Sequence, residues 1–467
     1  MRLVRYWLSI IGTALLLGGC HGIPTAGEKA AREQQRKTAS SYRPQEKKPA
    51  LPALTPASPL SNYLAYAMLN QPKVEAAYYD WLASIERITT ARSLPDPQIT
   101  FQMDIQSIVT SVMPGFMLAF PGLGKLNAAA AVASAESEAK YFAFQSAVLE
   151  TAFDVKRGYY QLYFLQDKIR ITRDTLALLA ELESLARAQN EVGKVTLQDV
   201  LRAQIEQDRL RNELANLEDS RNVLLAEFKG SLGLAADQPN PPVPQTFEST
   251  PMDSTTEKNL AMALVTNKRV QALSAEIRAA EAAIAAAYKA RNPDFTLGLM
   301  ADVKLNPVLY RPLGTLTLPI WRDKIAAQIA EAQANKRAAE ARLSLAQLSL
   351  AVDFADRTFT YREATRNFTL LSEQLLPKQR QSLEVARSGY LAGQIDFFNL
   401  TDAEQTLLRF ALAEVEARAQ RELALAELSL VIAGMSPSGA SSQGGGPMSG
   451  APGASRSATG QSATGMK

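Results

Sequence analysis

One cysteine and one histidine stand side by side at Cys20 and His21, and neither residue type recurs in the 467-residue chain. Thiolate and imidazole are the side chains that most readily hold a transition metal or activate a nucleophile. With a single copy of each, both near the start, a disulfide framework is excluded. A Cys/His metal site or a histidine-assisted nucleophile has almost nothing to draw on. Carboxylates are the chemistry that remains. The 47 acidic residues are interleaved with 50 basic ones for a net charge of +3, so no basic patch calls for nucleic acid and no acidic tail appears. The expectation is a protein that is not an enzyme and uses neither cofactor nor metal, a carboxylate-only catalyst being the class left open. Asp199 and Asp402 stand near the starts of predicted helices, where the helix dipole favours a solvated carboxylate.

The elements that must position these groups begin with an export signal over residues 1–19. Arg2 and Arg5 form its positive end, and Leu8 to Leu17 an apolar run too short to span a bilayer as a stable helix. It ends in Leu17-Gly18-Gly19-Cys20, which resembles the bacterial lipobox, with Cys20 as the lipidated new N-terminus; a plain signal peptide with an incidental cysteine is the alternative. The only cysteine in the chain falls at the one position the lipobox requires, and several acyl chains exceed the threshold for stable anchoring. His21 is not the aspartate that, in similar lipoproteins, favours the inner membrane, so the expected location is the outer membrane, lipid-anchored and extending into the periplasm.

Beyond the signal, the chain states one pattern twice, about 200 residues apart. Ala91-Arg92 recurs as Ala290-Arg291, Pro95-Asp96 as Pro293-Asp294, Pro121 as Pro319, and Gly193 as Gly393. Residues 20–58 read as a polar tether without helical periodicity, 59–235 as repeat 1, 236–256 as a proline-rich linker, 257–434 as repeat 2, and 435–467 as a disordered tail of Gly, Ser, Ala and Pro. Apolar residues at three- and four-residue spacing predict helices over 62–92, 123–190 and 195–232, and again over 257–291, 323–391 and 395–433. Pro377 should kink the long helix of repeat 2. A helix of about 69 residues runs roughly 100 Å, close to the two shorter ones end to end, so two short helices stacked beside one long helix is the expected geometry.

The strands discriminate. Gln98 to Gln106 alternates strictly, with Ile99, Phe101, Met103 and Ile105 apolar and Gln98, Thr100, Gln102, Asp104 and Gln106 polar. Strands are also predicted over 115–121, 295–299 and 313–319. Four strands cannot close a barrel alone, and an open edge does not survive in lipid. Either they form a half-buried sheet on a helical domain, or several chains share one wall. In the second case Ile99, Phe101, Met103 and Ile105 face lipid and the even positions line water. Tyr310 and Trp321 are candidate interface anchors. No His or Met cluster is seen at plausible pore positions.

At this point the chain resembles the TolC-type family of outer-membrane efflux channels. The match is carried by Leu375-Leu376-Pro377, Ala386-Arg387, Gly389-Tyr390, Gly393, Phe397-Phe398-Asn399-Leu400 and Asp402-Ala403-Glu404-Gln405, and by Thr317-Leu318-Pro319-Ile320-Trp321. Arg322-Asp323 stand where a glycine pair is usual. The resemblance spans about Ser61 to Ala433 and implies a mainly α fold with a membrane β-barrel portion. Duplicated long-helix hairpins and four strands per chain would join, as a homotrimer, into a twelve-stranded barrel continuous with a twelve-helix tube. It further implies a passive exit duct coupled through a periplasmic adaptor to an inner-membrane transporter. Tyr390 matches a tip tyrosine engaged in closing contacts and Asp402 an acidic residue of the constriction. Asn399 stands where another acidic gate residue is common and Ile395 where a basic latch is common, while Asp199 occupies the position equivalent to Asn399. Gly193 and Gly393 would mark the tip that meets the adaptor. The competing reading is a lipid-anchored periplasmic coiled-coil scaffold without a pore.

Overall fold

The computed structural model describes residues 23–105, 109–245, 247, 256–305 and 307–433. The signal, Cys20, His21 and the residues after 433 lie outside them, as does the Ile105 side chain. The order is α1 (Ala26–Tyr42), α2 (Leu60–Asn70), α3 (Pro72–Arg92), β1 (Gln98–Ile105), β2 (Val109–Phe120), α4 (Lys125–Glu191) and α5 (Leu197–Ser231). Repeat 2 continues with α6 (Thr256–Thr266), α7 (Lys268–Lys289), β3 (Asp294–Asp302), β4 (Leu309–Thr317), α8 (Arg322–Thr369), a π turn (Leu370–Leu375), α9 (Leu376–Leu391) and α10 (Phe397–Ala433).

The first correction concerns residues 20–58. Far from being all tether, they contain α1, capped by Thr25, whose hydroxyl accepts the Glu28 N–H at 3.2 Å. Its polarity concealed it. α1 docks through ion pairs and one terminal ring rather than through an apolar stripe. Buried Glu28 accepts from Arg32, Arg92 and Thr89, and Arg32 forms a fork onto Glu86 with both bonds at 3.0 Å. Three basic and hydroxyl donors hold the Glu28 carboxyl down at about 2 against the opposing effect of burial. At the other end Tyr42 joins Tyr78, Trp81 and Phe144 in an aromatic cluster. α1 runs so close to α4 that a Cβ on Gly27 would strike Ser134.

The second correction is that the first helix of each repeat is two helices. Pro72 lacks an N–H and fits the first turn of α3, so the chain breaks at Gln71. The repeat 2 counterpart breaks at Asn267 without any proline. Both breaks are tied to the last helix of their repeat. The Asn70 amide donates to the Leu232 and Gly233 carbonyls at 3.0 and 2.9 Å, and the Asn267 amide to the Val431 carbonyl at 2.9 Å. Asn267 also caps α7, accepting from the Arg269 and Val270 N–H groups.

Third, at Pro377 the long helix of repeat 2 changes its hydrogen bonding rather than running uniformly. The wider π turn just ahead of it releases the carbonyl that the proline could not satisfy, and the helix continues as α9. α4 has no such interruption over 67 residues, about 100 Å of rise. It is the spine of the protomer, packing α3 and α5 of its own repeat and α7 and α10 of the other. Around its middle Tyr63, Tyr159, Phe164, Phe228 and Leu232 are fully buried. Gly158 lets Phe228 press against α4, since a Cβ there would sit 2.8 Å from the ring. α8 packs on α7 and α10.

The strands form one antiparallel sheet in the order β1-β2-β3-β4, so the two hairpins join through β2 and β3. Three strands depart from the sequence limits: β2 starts at Val109, β3 runs on to Asp302, and β4 lies at 309–317. The ladder continues past the apolar alternation, because backbone pairing does not require it.

Candidate functional site: a channel wall and its tip

Directly paired residues of an antiparallel sheet share a face. Register therefore places Ile99, Phe116, Leu299 and Pro312 in one row, with Phe120, Phe295 and Leu316 in another on the same side. This side is apolar and bare. Ile99 is 88% exposed and Phe101 63%, and Met103, Leu297, Leu299 and Leu316 are also exposed. Leu297, Leu299 and Leu316 extend the Ile99 pattern into the second repeat. Tyr310 and Trp321 are exposed near the ends of the same band. Among the described residues, β1 and β4 each have one neighbour, so both rims of the sheet are unpaired. No described helix is long and apolar enough to cross a membrane.

The opposite face carries Gln98, Thr100, Gln102 and Asp104 from β1, with Ser111 donating to Asp302 at 2.6 Å and Arg311 4.0 Å from Asp302. It also carries three methionines that the sequence limits of β2 and β3 did not bring together. Met113 pairs with Gln102, Met117 with Gln98, and Met300 with Gly115. Sequence alternation could not place Met113, because β2 was expected to begin only at Gly115.

Where sheet meets helices, the two repeats are buttoned together. Asp294 accepts the Gly122 N–H at 2.6 Å and the Lys125 ammonium at 2.7 Å, joining the start of β3 to the turn between β2 and α4. The Glu28–Arg92 pair ties α1 to the last residue of α3, just before β1.

At the far end both repeats reverse through the same turn. Gly193 and Gly393 each take φ +72, a left-handed conformation that a side chain resists. The Lys194 N–H returns to the Gln189 carbonyl, and the Gln394 N–H to the Gly389 carbonyl, the C-terminal capping pattern of a helix that stops at glycine. The helices that follow are capped differently. In repeat 1 Thr196 and Asp199 form a reciprocal box, the carboxylate accepting from the Thr196 N–H at 3.1 Å and its hydroxyl at 2.8 Å. In repeat 2 Asp396 takes the cap and accepts the Asn399 N–H at 3.0 Å. Asp396 escaped sequence reading, although an Asp just before an apolar pair is a cap signal.

Of the expected tip residues, the fold brings Asp199 and Tyr390 together across the repeats. Tyr390 is buried against Phe397 with ring centroids 5.6 Å apart, and its hydroxyl has no hydrogen-bond partner among the described residues. Burial raises its ionisation, and the nearby Asp199 charge raises it further. Asn399 and Asp402 are exposed, Asn399 on the first turn of α10 and Asp402 farther along. Arg202 lies 4.8 Å over the Phe398 ring, a cation–π contact between α5 and α10 that motif spacing gave no means of finding.

Comparison with known proteins agrees with this architecture. The family model described as "Outer membrane efflux protein" matches residues 67–234 and 259–434. No curated protein sequence shows a significant match. The chain is similar in structure to the outer membrane protein VceC of Vibrio cholerae, at 17% identity and a TM-score of 0.68 over 80% of this chain and 96% of that one. A membrane protein of Pseudomonas aeruginosa gives 19% identity and a TM-score of 0.69 over 80% and 90%. The open-state MtrE outer membrane channel of Neisseria gonorrhoeae gives 15% and 0.68 over 83% and 94%.

Proposed function

The chain belongs to the outer membrane efflux protein family, an outer-membrane channel extending into the periplasm, and from that premise we propose that three copies close into one passive exit duct. The observation that carries this reading is the sheet: four strands with a bare apolar face and two unpaired rims. Lipid offers no hydrogen bonds to an open edge, so β1 of one copy must meet β4 of the next. Three sheets supply twelve strands, enough for a water-filled lumen. The helices support the same closure. α5 exposes Leu197, Leu201 and Ile205, and α8 exposes Leu345, Leu348, Val352 and Phe359, each set at helical spacing. Both faces await an apolar neighbour of the same kind.

Cys20 carries the lipid in this reading. Only four residues separate it from Thr25, the cap of α1, and Glu28 binds Arg92 beside the sheet–helix junction. The anchor would thus enter the leaflet facing the periplasm, at the level where the barrel begins. The turns at Gly193 and Gly393 meet a periplasmic adaptor, which links the duct to an inner-membrane transporter that supplies the energy. Asp199 and Asp402 supply carboxylates to the narrowed tip, with Tyr390 in its closing contacts and Asn399 as a neutral substitute at one gate position.

The test is heat-modifiable mobility of the outer-membrane fraction combined with single-channel conductance. Trimers that conduct are expected; a monomer without conductance would favour the scaffold. Cysteines placed near Gly193 and Gly393 should crosslink to an adaptor and not to outer-membrane neighbours.

A further inference from the structure

Glu404 of α10 is 2% exposed, and neither carboxyl oxygen has a hydrogen-bond partner among the described residues. A polar group left this way is costly, and an ionised one far more so. The residue borders a cavity of about 410 Å³ between α4, α5 and α10. The charged groups lining that cavity are Glu206, Arg209 and Glu213 from α5 and Asp402 and Arg409 from α10 itself; α4 contributes the uncharged Thr175 and Leu179. From α9, Gln379 donates to the carbonyl of the adjacent Ala403 at 2.8 Å. None of these groups neutralises Glu404. Burial alone acts on its ionisation, pushing it up to about 8. The residues just before it belong to the tip itself, since Leu400 and Ala403 pack with Leu182, Ala186, Val200, Tyr390 and Phe397 in the cluster that joins both repeats.

We propose that Glu404 is a proton-operated wedge: protonated, it lets α10 lie against α4 and α5 and keeps the tip drawn in; ionised, it moves toward the water of the adjoining cavity and loosens that packing. The inference rests on the duct reading for its effect on flow, though not for its effect on stability. Because the folded protein holds this proton more tightly than the unfolded chain, the contribution is complete at and below the ordinary carboxylate value of 4.5. It is lost as pH rises toward and through about 8.

The experiment compares the full-length assembled protein with Glu404→Gln, a neutral isostere, between pH 6 and 9. Wild type should lose thermal stability relative to the variant as pH rises, and its bilayer conductance should increase several-fold. Glu404→Gln should stay near the low-pH wild-type values throughout, while Glu213→Gln, which alters an exposed cavity carboxylate, keeps the wild-type profile. If Glu404→Gln follows the wild-type pH profile in melting, or fails to assemble, the wedge is wrong, because the neutral side chain is the form that should fit. Absence of conductance from every form would overturn the duct instead, and the melting comparison would still judge Glu404.

Discussion

The two repeats share a succession of elements but keep different company. The long helix of repeat 1 is surrounded: α4 is packed by α1, α3, α5, α7 and α10, beside the largest aromatic core of the protomer. Repeat 2 is left partly bare, and α8 turns Leu345, Leu348, Val352 and Phe359 outward. The helix with a π turn ahead of Pro377 belongs to repeat 2, whereas α4 is α-helical throughout its 67 residues. One pattern has thus been put to two uses, as an internal spine and as a surface prepared for another copy.

The sharpest way to break this contrast is a pair of aromatic truncations. Phe228→Ala, in the repeat 1 core, should cost about 3–5 kcal/mol of subunit stability in denaturant unfolding. Phe359→Ala on α8 should leave the subunit nearly unchanged and weaken assembly, read as trimer dissociation at lower temperature in detergent. Equal effects on unfolding would dissolve the distinction.

In the wall, by contrast, the repeats should be equivalent. Ile99→Arg and Leu297→Arg each put a charge on the apolar face, and each should cost about 2–4 kcal/mol near the middle of the membrane. Refolding into lipid vesicles measures this, and a tolerated arginine at either site would show that its face is not in lipid. Less is expected from the helix breaks. Asn70→Ala and Asn267→Ala leave carbonyls without their donors, at about 1–3 kcal/mol each. Asn267 should be the costlier loss because it also caps α7.

A smaller effect separates the repeats by pH. Glu28 exists only beside repeat 1, and its folded carboxyl titrates near 2, well below 4.5. Its stabilisation is therefore fully present above about pH 4.5 and fades as pH falls through about 2. Hydrogen exchange should show α1 detaching in acid before the rest of the bundle, and Glu28→Gln should release it at neutral pH.

The repeat, the alternating wall and the glycine turns were legible because each leaves a periodic or punctuating trace: period two in β1, three- and four-residue spacing in the helices, a left-handed glycine at each reversal. What stayed hidden is held by contacts distant in sequence. α1 has no apolar stripe and depends on Arg92 and Thr89, more than 60 residues away. The break at Asn267 depends on a carbonyl 164 residues later. Pro377 was visible, but the π turn ahead of it left no mark in the spacing of apolar residues. At the tip, Asp199 and Tyr390 could each be picked out, yet only folding shows that the charge of one reaches the hydroxyl of the other across the repeats.

The free rims of the sheet come from opposite ends of the pattern, β1 from the first repeat and β4 from the second. In the closed duct every seam is consequently head-to-tail, and nothing in a single seam states how many copies suffice. The curvature of the protomer alone decides where the ring stops. A chain with β4 blocked could still join through β1 but would accept no successor, so small amounts of it mixed with intact chains should poison many assemblies.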